Sequence, residues 1–179
     1  LKDNATTNQN VAVGNNSLQS NTAAGNVAVG ADALTNNTTG TQNVAIGGLA
    51  LDANTTANYN TAVGYESMSS NTTGTENVSL GQISWRDNTT GSNNTALGQA
   101  ALRSNTTASN NTAVGNDALK VNTTGANNLA VGANALDANT TGSHNTAIGY
   151  NSLTSNTTAG DNVAIGQDSL HNNTTGTYN

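Results

Sequence analysis

The chain of 179 residues contains no cysteine, no proline and no phenylalanine, and it has few charged or aromatic side chains. The absence of cysteine excludes disulfide bonds and thiolate metal ligands. Four cations against ten acids give a net charge of -6, so the chain lacks the basic surface that binding to a phosphate backbone needs. No apolar run approaches the roughly 18 residues that span a bilayer. We therefore expect no nucleic-acid partner and no membrane insertion in this segment.

Glycine, in contrast, returns at a nearly constant interval. The first interval is 16 residues and the other eight are 17, and a fixed period of this length is typical of solenoid proteins. We predict an all-β fold, a parallel β-roll or β-solenoid of about ten coils with 17 residues each. We expect a positive φ or a close backbone approach at the turn glycines that mark the period, which are Gly14, Gly30, Gly47, Gly64, Gly81, Gly98, Gly115, Gly132, Gly149 and Gly166.

A short apolar strand precedes each glycine. Numbered from the glycine as zero, the unit has Asn at -4, usually Val or Thr at -3, Ala at -2, and Val, Ile or Leu at -1. This alternation predicts that Asn and Ala share one face of the strand and that the aliphatic residues share the other. Alanine fills position -2 in nine of the ten copies, with Ser79 as the exception, which indicates a close neighbour on that face. We predict a strand buried on both faces, the second against a partner.

Asparagine is invariant at positions -4 and +7. Stacked coils place equivalent residues about 4.8 Å apart, so we expect these amides to form ladders along the stack and to bond the turn backbone. The rival interpretation is glycosylation, because Asn-Thr-Thr fits the acceptor sequon; regular repetition explains the sequons without any sugar. The predicted ladder at +7 comprises Asn21, Asn37, Asn54, Asn71, Asn88, Asn105, Asn122, Asn139, Asn156 and Asn173.

A large apolar residue at position +4 is the second anchor of the core or interface. We predict that Trp85 is a large core or interface plug rather than a recognition aromatic. The free energy gained by burying the few apolar side chains of one coil is smaller than the entropic cost of ordering that coil. This deficit predicts association along the aliphatic face. The anchors are Leu18, Leu34, Leu51, Met68, Trp85, Leu102, Leu119, Leu136, Leu153 and Leu170.

The titratable residues do not favour catalysis or metal binding. His144 and His171 occupy different positions of the repeat, without a nucleophile or base at matching positions. The acids lack the fixed Asp rhythm of calcium-binding β-rolls. We therefore predict no enzymatic activity, no catalytic residue, no cofactor and no metal site. We expect a solvated surface role for the scattered carboxylates Asp32, Asp52, Glu66, Glu76, Asp87, Asp117, Asp137, Asp161 and Asp168.

The segment Asn-x-Ala-Val/Ile-Gly, as in residues 43–47 and 162–166, resembles the head repeat of trimeric autotransporter adhesins. The longer unit over residues 60–74 is similar to repeats of phage tail-fibre and bacterial surface proteins. This resemblance covers essentially the whole chain. It implies a left-handed parallel β-roll, three of which associate around a threefold axis. It also implies a structural or adhesive rod in an extracellular fibre, with a host-surface carbohydrate or protein as receptor.

We expect residues 1–179 to form a single repeat domain, a fragment of a longer fibre with partial coils at both ends. Two alternatives stay open. The segment could be a spacer that holds a receptor-binding tip away from the particle or cell. It could also bind ice through threonine, which is invariant at +8 from Thr22 to Thr174. Ice binding favours two outward threonines separated by one residue, whereas those at +8 and +9 are adjacent and are expected to point to opposite faces.

Overall fold

A computed structural model of the chain describes residues 8–179, which form ten strands of three residues and no helix. Each strand ends directly before one of the turn glycines, where the alternating pattern predicts it. The strands are β1 (Val11–Val13), β2 (Val27–Val29), β3 (Val44–Ile46), β4 (Thr61–Val63), β5 (Val78–Leu80), β6 (Thr95–Leu97), β7 (Thr112–Val114), β8 (Leu129–Val131), β9 (Thr146–Ile148) and β10 (Val163–Ile165).

The strands form one parallel sheet in sequence order. Each strand pairs with the equivalent residues of the next coil, so that Ala45 lies opposite Ala62 and Ile46 lies opposite Val63. The described residues make about nine turns of about 17 residues. The all-β parallel solenoid predicted from the glycine period is therefore confirmed.

Hydrogen bonds between successive coils continue well beyond the strands. The backbone N–H of Leu51 donates to the carbonyl of Ser67 at 3.1 Å, and that of Thr72 donates to Thr89 at 3.0 Å. Because equivalent backbone groups pair along much of each coil, the turns as well as the strands satisfy their polar groups.

Left-handed backbone recurs at three positions of each full coil on residues other than glycine. In the coil after Gly98, φ is 54° at Ala100, 56° at Leu102 and 62° at Asn110. A left-handed conformation costs such residues about 1–2 kcal/mol each. Hydrogen bonds to neighbouring coils offset this cost, as where the N–H of Leu102 donates to the carbonyl of Ala118 at 2.9 Å.

The core is one continuous stack of strand alanines, anchor side chains and alanines at position +3, such as Ala101 and Ala118. Ser79, which replaces an alanine, is also fully buried. Its hydroxyl accepts a hydrogen bond from Ser67 Oγ at 2.9 Å and donates to the carbonyl of Ser84 at 3.0 Å. The hydroxyl is thus satisfied inside the tightly packed face, which explains how this one coil dispenses with alanine.

The second face of the sheet is open in the single chain. The prediction of a strand buried on both faces is therefore not met within one copy: Ile46 is 40% exposed and Leu80 is 41% exposed. From β2 to β10 the central residue of each strand, on the first face, is at most 1% exposed, as the alternation predicts for Ala45 and Ala62. This asymmetry leaves an apolar surface along the whole sheet.

Candidate functional site

The predicted turn glycines lie at the corner that follows each strand, with φ between 120° and 138°. Gly98, at 135°, also has no room for a side chain, because an added Cβ would lie 2.5 Å from the carbonyl oxygen of Gly115. Side chains rarely adopt this backbone conformation. The other recurrent glycine position, represented by Gly125, has no positive φ, and alanine occupies it in Ala108.

The asparagines at +7 are stacked, and their amides are bonded in two directions. Asn139 Nδ2 donates to Asn122 Oδ1 at 2.9 Å and to the carbonyl of Gly142 at 3.0 Å. Asn139 Oδ1 in turn accepts a hydrogen bond from Asn156 Nδ2 at 3.0 Å. Each such amide therefore ties its own turn to the neighbouring coil.

The asparagines at -4 make a second ladder of a different kind. The side-chain oxygen of Asn43 accepts the backbone N–H of Asn60 at 2.9 Å, and Asn43 Nδ2 donates to the carbonyl of Ala57 at 2.8 Å. In coils between the ends, asparagines of both ladders are at most 2% exposed. The folded chain thus gives a glycosyl transferase no access to the amide nitrogen of the buried Asn-Thr-Thr sequons.

Trp85 fills the anchor position of the fifth coil and is fully buried. Its Nε1 donates to the carbonyl of Asn105 at 2.8 Å. Among residues 8–179, the amide ladder at +7 is interrupted at this place, since Asn105 Nδ2 donates to Ala108 but not to Asn88. The other anchors are buried as well, except Leu170 in the last coil, which is half-buried.

The open face of the sheet presents an unbroken row of aliphatic side chains, which we call the aliphatic column. At about 4.8 Å per coil it is about 43 Å long. Its exposure is greatest at the ends, 57% at Val13 and 67% at Ile165. The column comprises Val13, Val29, Ile46, Val63, Leu80, Leu97, Val114, Val131, Ile148 and Ile165.

The two threonine rows have different environments. The hydroxyl of Thr123, at +8, donates to the carbonyl of Thr140 at 2.9 Å, and this contact recurs along the stack. Thr124, at +9, is exposed, as are its equivalents from Thr39 onwards. The first row is therefore used mainly to join the coils, whereas the second row is exposed to solvent in the described part of the chain.

Three cations occupy the same position, +5, in consecutive coils: Arg86, Arg103 and Lys120, here called the basic cluster. Arg86 Nε pairs with Asp87 Oδ1 at 2.7 Å, and this bond raises the pKa of the guanidinium. Lys120 Nζ lies 3.2 Å from Asp117 Oδ1. The spacing of 17 residues between the three cations is readable in the sequence, but a chain with only four cations gives no other sequence signal of a basic surface.

The remaining titratable groups do not converge, since residues 8–179 contain no cluster of three or more His, Asp or Glu that could hold a metal ion. His144 and Asp161 form one exposed pair, 3.9 Å apart, and His171 and Asp168 form another at 3.7 Å. Asp52 departs from the expected solvated role. Its Oδ1 is buried without a hydrogen-bond partner, and burial raises the pKa of its carboxyl.

The shortened first coil leaves a depression in the surface beside its turn. The stretch from Asn21 to Asn26 is one residue shorter than its equivalents in the later coils, and it contains Gly25, which has a φ of 77°. The depression has a volume of about 300 Å³ and is open to solvent. It is lined by Gln9, Ala24, Gly25, Thr41 and Gln42.

These features define a parallel β-solenoid whose invariant residues hold the coils together and whose outer positions vary. Within residues 8–179 no helix is long and apolar enough to cross a membrane. Comparison of the chain with known protein families, with curated proteins and with solved structures found no match.

Proposed function

We propose that this chain is a rod segment of an extracellular homotrimeric fibre, on a phage particle or a bacterial surface. The solenoid would be a left-handed β-roll, three copies of which pack their sheets around a common axis. Its role is structural and adhesive rather than enzymatic. The rod either binds a host-surface carbohydrate or protein itself or presents a receptor-binding surface to it. The resemblance of the Asn-x-Ala-Val/Ile-Gly unit to adhesin heads supports this proposal.

The observation that carries the proposal is the aliphatic column, whose members are half-buried or exposed in the single chain. Soluble monomers rarely leave a continuous apolar surface of this extent in water, and Leu80 and Ile46 are 41% and 40% exposed in the single chain. A second copy of the same sheet offers a matching column with the same spacing of about 4.8 Å. Packing such columns together would remove them from water and add the apolar burial that a thin coil lacks.

A deletion of two whole coils tests the adhesive role against the spacer role. Removing residues 94–127 joins Asn93 to Asn128 and keeps the repeat in phase. Variable outer positions repeated along a trimeric rod bind by avidity, so the shortened rod should bind an immobilised host-glycan array more weakly than the full rod. Unchanged binding by the shortened trimer would favour the spacer, and no binding by either rod would contradict the adhesive role.

Ice binding is the alternative function, and the exposed threonine row at +9 is the feature that favours it. The hydroxyls at +8 are bonded to the backbone, as in Thr123 and Thr140. A single row does not provide the two-dimensional array that a flat ice plane would match. We therefore expect no thermal hysteresis; a clear ice-growth inhibition would contradict the adhesive proposal.

A further inference from the structure

The three cations of the basic cluster lie side by side on neighbouring coils. The backbone N–H of Asp87 donates to the carbonyl of Arg103 at 3.0 Å, and that of Ser104 donates to the carbonyl of Lys120 at 3.0 Å. Side chains at this position also reach each other between coils, as Thr154 Oγ1 and Asp137 Oδ1 are 2.6 Å apart. The cluster is therefore a continuous strip about 10 Å long at about 4.8 Å per coil.

Placing like charges side by side opposes folding, and the chain has only four cations in all. Carboxylates balance the outer two: Asp87 pairs with Arg86, and Asp117 pairs with Lys120. Arg103, in the middle, has no carboxylate partner among the described residues, and its Nε is buried without an acceptor. Because this Nε is buried, an anion from solvent would bind the guanidinium through the N–H groups of its two terminal nitrogens.

We propose that the basic cluster binds a sulfate or carboxylate group of an anionic polysaccharide, with Arg103 as the anchoring residue. The inference rests on the proposed adhesive function, for which it names the chemical class of the receptor. The outer cations add long-range attraction, while their own carboxylates keep them from binding an anion as strongly as Arg103.

The charges around the cluster favour a polysaccharide over a nucleic acid. At the same position of the repeat, Asp137 follows Lys120 directly, and Asp52 lies two coils before Arg86. A nucleic acid running along the strip would place phosphates against these carboxylates, on a chain whose net charge is -6. A polysaccharide also carries hydroxyl groups that form hydrogen bonds. Ser70 and Ser104, which lie beside the cations, offer partners for them.

Binding to immobilised dextran sulfate, carboxymethyl dextran and neutral dextran tests the proposal. We expect the unaltered protein to bind one or both anionic polymers but not neutral dextran. Arg103→Gln should weaken binding about tenfold or more, since it removes a charge-assisted hydrogen-bonding group. Arg103→Lys should restore part of the affinity, because it keeps the charge without the guanidinium fork.

A double variant, Thr35→Arg with Arg103→Gln, controls for net charge. It keeps the charge of the unaltered chain and returns a cation to position +5, four coils away. It should bind as weakly as Arg103→Gln alone. Full binding by this variant, equal binding to neutral dextran, or tighter binding to single-stranded DNA than to either anionic dextran would overturn the proposal.

Light scattering of the same samples separates this inference from the proposed function. A trimer that ignores the anionic dextrans would overturn the basic site and leave the rod. If Arg103→Gln changes the oligomeric state but not polysaccharide binding, Arg103 pairs with a second copy of the chain. That result would also overturn the site. Circular dichroism of each variant verifies that the fold is retained.

Discussion

Trp85 Nε1 donates a hydrogen bond to the backbone carbonyl of Asn105 at 2.8 Å. The donor belongs to one coil and the acceptor to the next, so the indole joins the two coils from inside the core. At the same place the amide contact between Asn88 and Asn105 is missing from the ladder. The indole therefore bridges the two coils where the ladder does not.

Replacing Trp85 with leucine, the usual anchor, should destabilise the protein. The variant loses the hydrogen bond to Asn105 and leaves a void around a shorter side chain, which should cost about 2–4 kcal/mol in the free energy of unfolding. Denaturation followed by circular dichroism measures the loss. Met68→Leu is the matched control at another anchor position. Because methionine and leucine have similar volumes, this variant should cost less than about 1.5 kcal/mol. Equal stability of the two variants would contradict this account.

Gly98→Ala adds only one methyl group but should destabilise the fold strongly. The residue has a φ of 135°, and the new Cβ would lie 2.5 Å from the carbonyl oxygen of Gly115. We expect a loss of about 3 kcal/mol or more in denaturant titration. Gly48→Ala is the control: its φ is not positive, an added Cβ would meet nothing closer than 3.5 Å, and Ala133 occupies the same position of the repeat, so it should cost less than about 1 kcal/mol. A milder effect at Gly98 than at Gly48 would refute the geometric argument.

Asn139→Ala removes a link of the amide ladder and leaves its partners unsatisfied. The side-chain N–H of Asn156, the side-chain oxygen of Asn122 and the backbone carbonyl of Gly142 would each lose a hydrogen bond in the interior. An unfolding free energy lower by about 3 kcal/mol is expected. Asn173→Ala, in the partly exposed last coil, should cost about 1 kcal/mol because water replaces the lost contacts. Similar losses at both positions would argue against a structural ladder.

Asp52→Asn should stabilise the protein at neutral pH. Burial is the main cause that raises the pKa of this carboxyl, against the opposing effect of the nearby backbone N–H groups of Asp52 and Ala53. A raised pKa means that the fold favours the protonated form, so the stability cost of the carboxylate appears as the pH rises through that pKa. We expect a gain of a few tenths to about 1 kcal/mol at pH 7, which disappears below the pKa of the unfolded chain.

Asp137→Asn is the control for this effect, because the carboxylate of Asp137 accepts a hydrogen bond from Thr154 Oγ1 at 2.6 Å. No gain at pH 7 is expected there. Thermal unfolding across the acidic range, measured for both variants, would reveal the difference. A gain that is independent of pH at Asp52 would show that its charge is not the cause.

The positions that follow directly from the repeat were the most predictable from the sequence. The strand before Gly98 and the inward alanine at Ala96 obey a period of two, and asparagine at +7 has a side chain suited to ladders. The left-handed φ of 56° at Leu102 has no such signal. Leucine disfavours this conformation, and only the contact with Ala118 in the next coil makes it acceptable.

The surfaces were harder to predict because they depend on which variable positions lie together. Arg86, Arg103 and Lys120 are 17 residues apart, and their proximity becomes evident only when the coils are stacked in register. The exposure of Leu97 and its neighbours also depends on the number of chains. Alternation indicates which side chains share a face, but one copy of the sequence does not state what covers that face.

A lysine in the aliphatic column should disrupt assembly without disrupting the coil. Leu97→Lys places a charge on the open face of the sheet, where it would be buried between copies in a trimer. Asn110→Lys, at an exposed position outside the sheet, is the matched control and should leave assembly unchanged. Cross-linking yields at increasing protein concentration compare the two variants with the unaltered chain. Equal yields for Leu97→Lys and Asn110→Lys would place the interface elsewhere.

Sedimentation equilibrium of the unaltered chain tests the central claim most directly. Association through the aliphatic column into a homotrimer predicts a mass three times that of the chain, maintained on dilution to low micromolar concentration. A folded monomer with the circular dichroism of a β-solenoid, stable at the same concentration, would contradict the account.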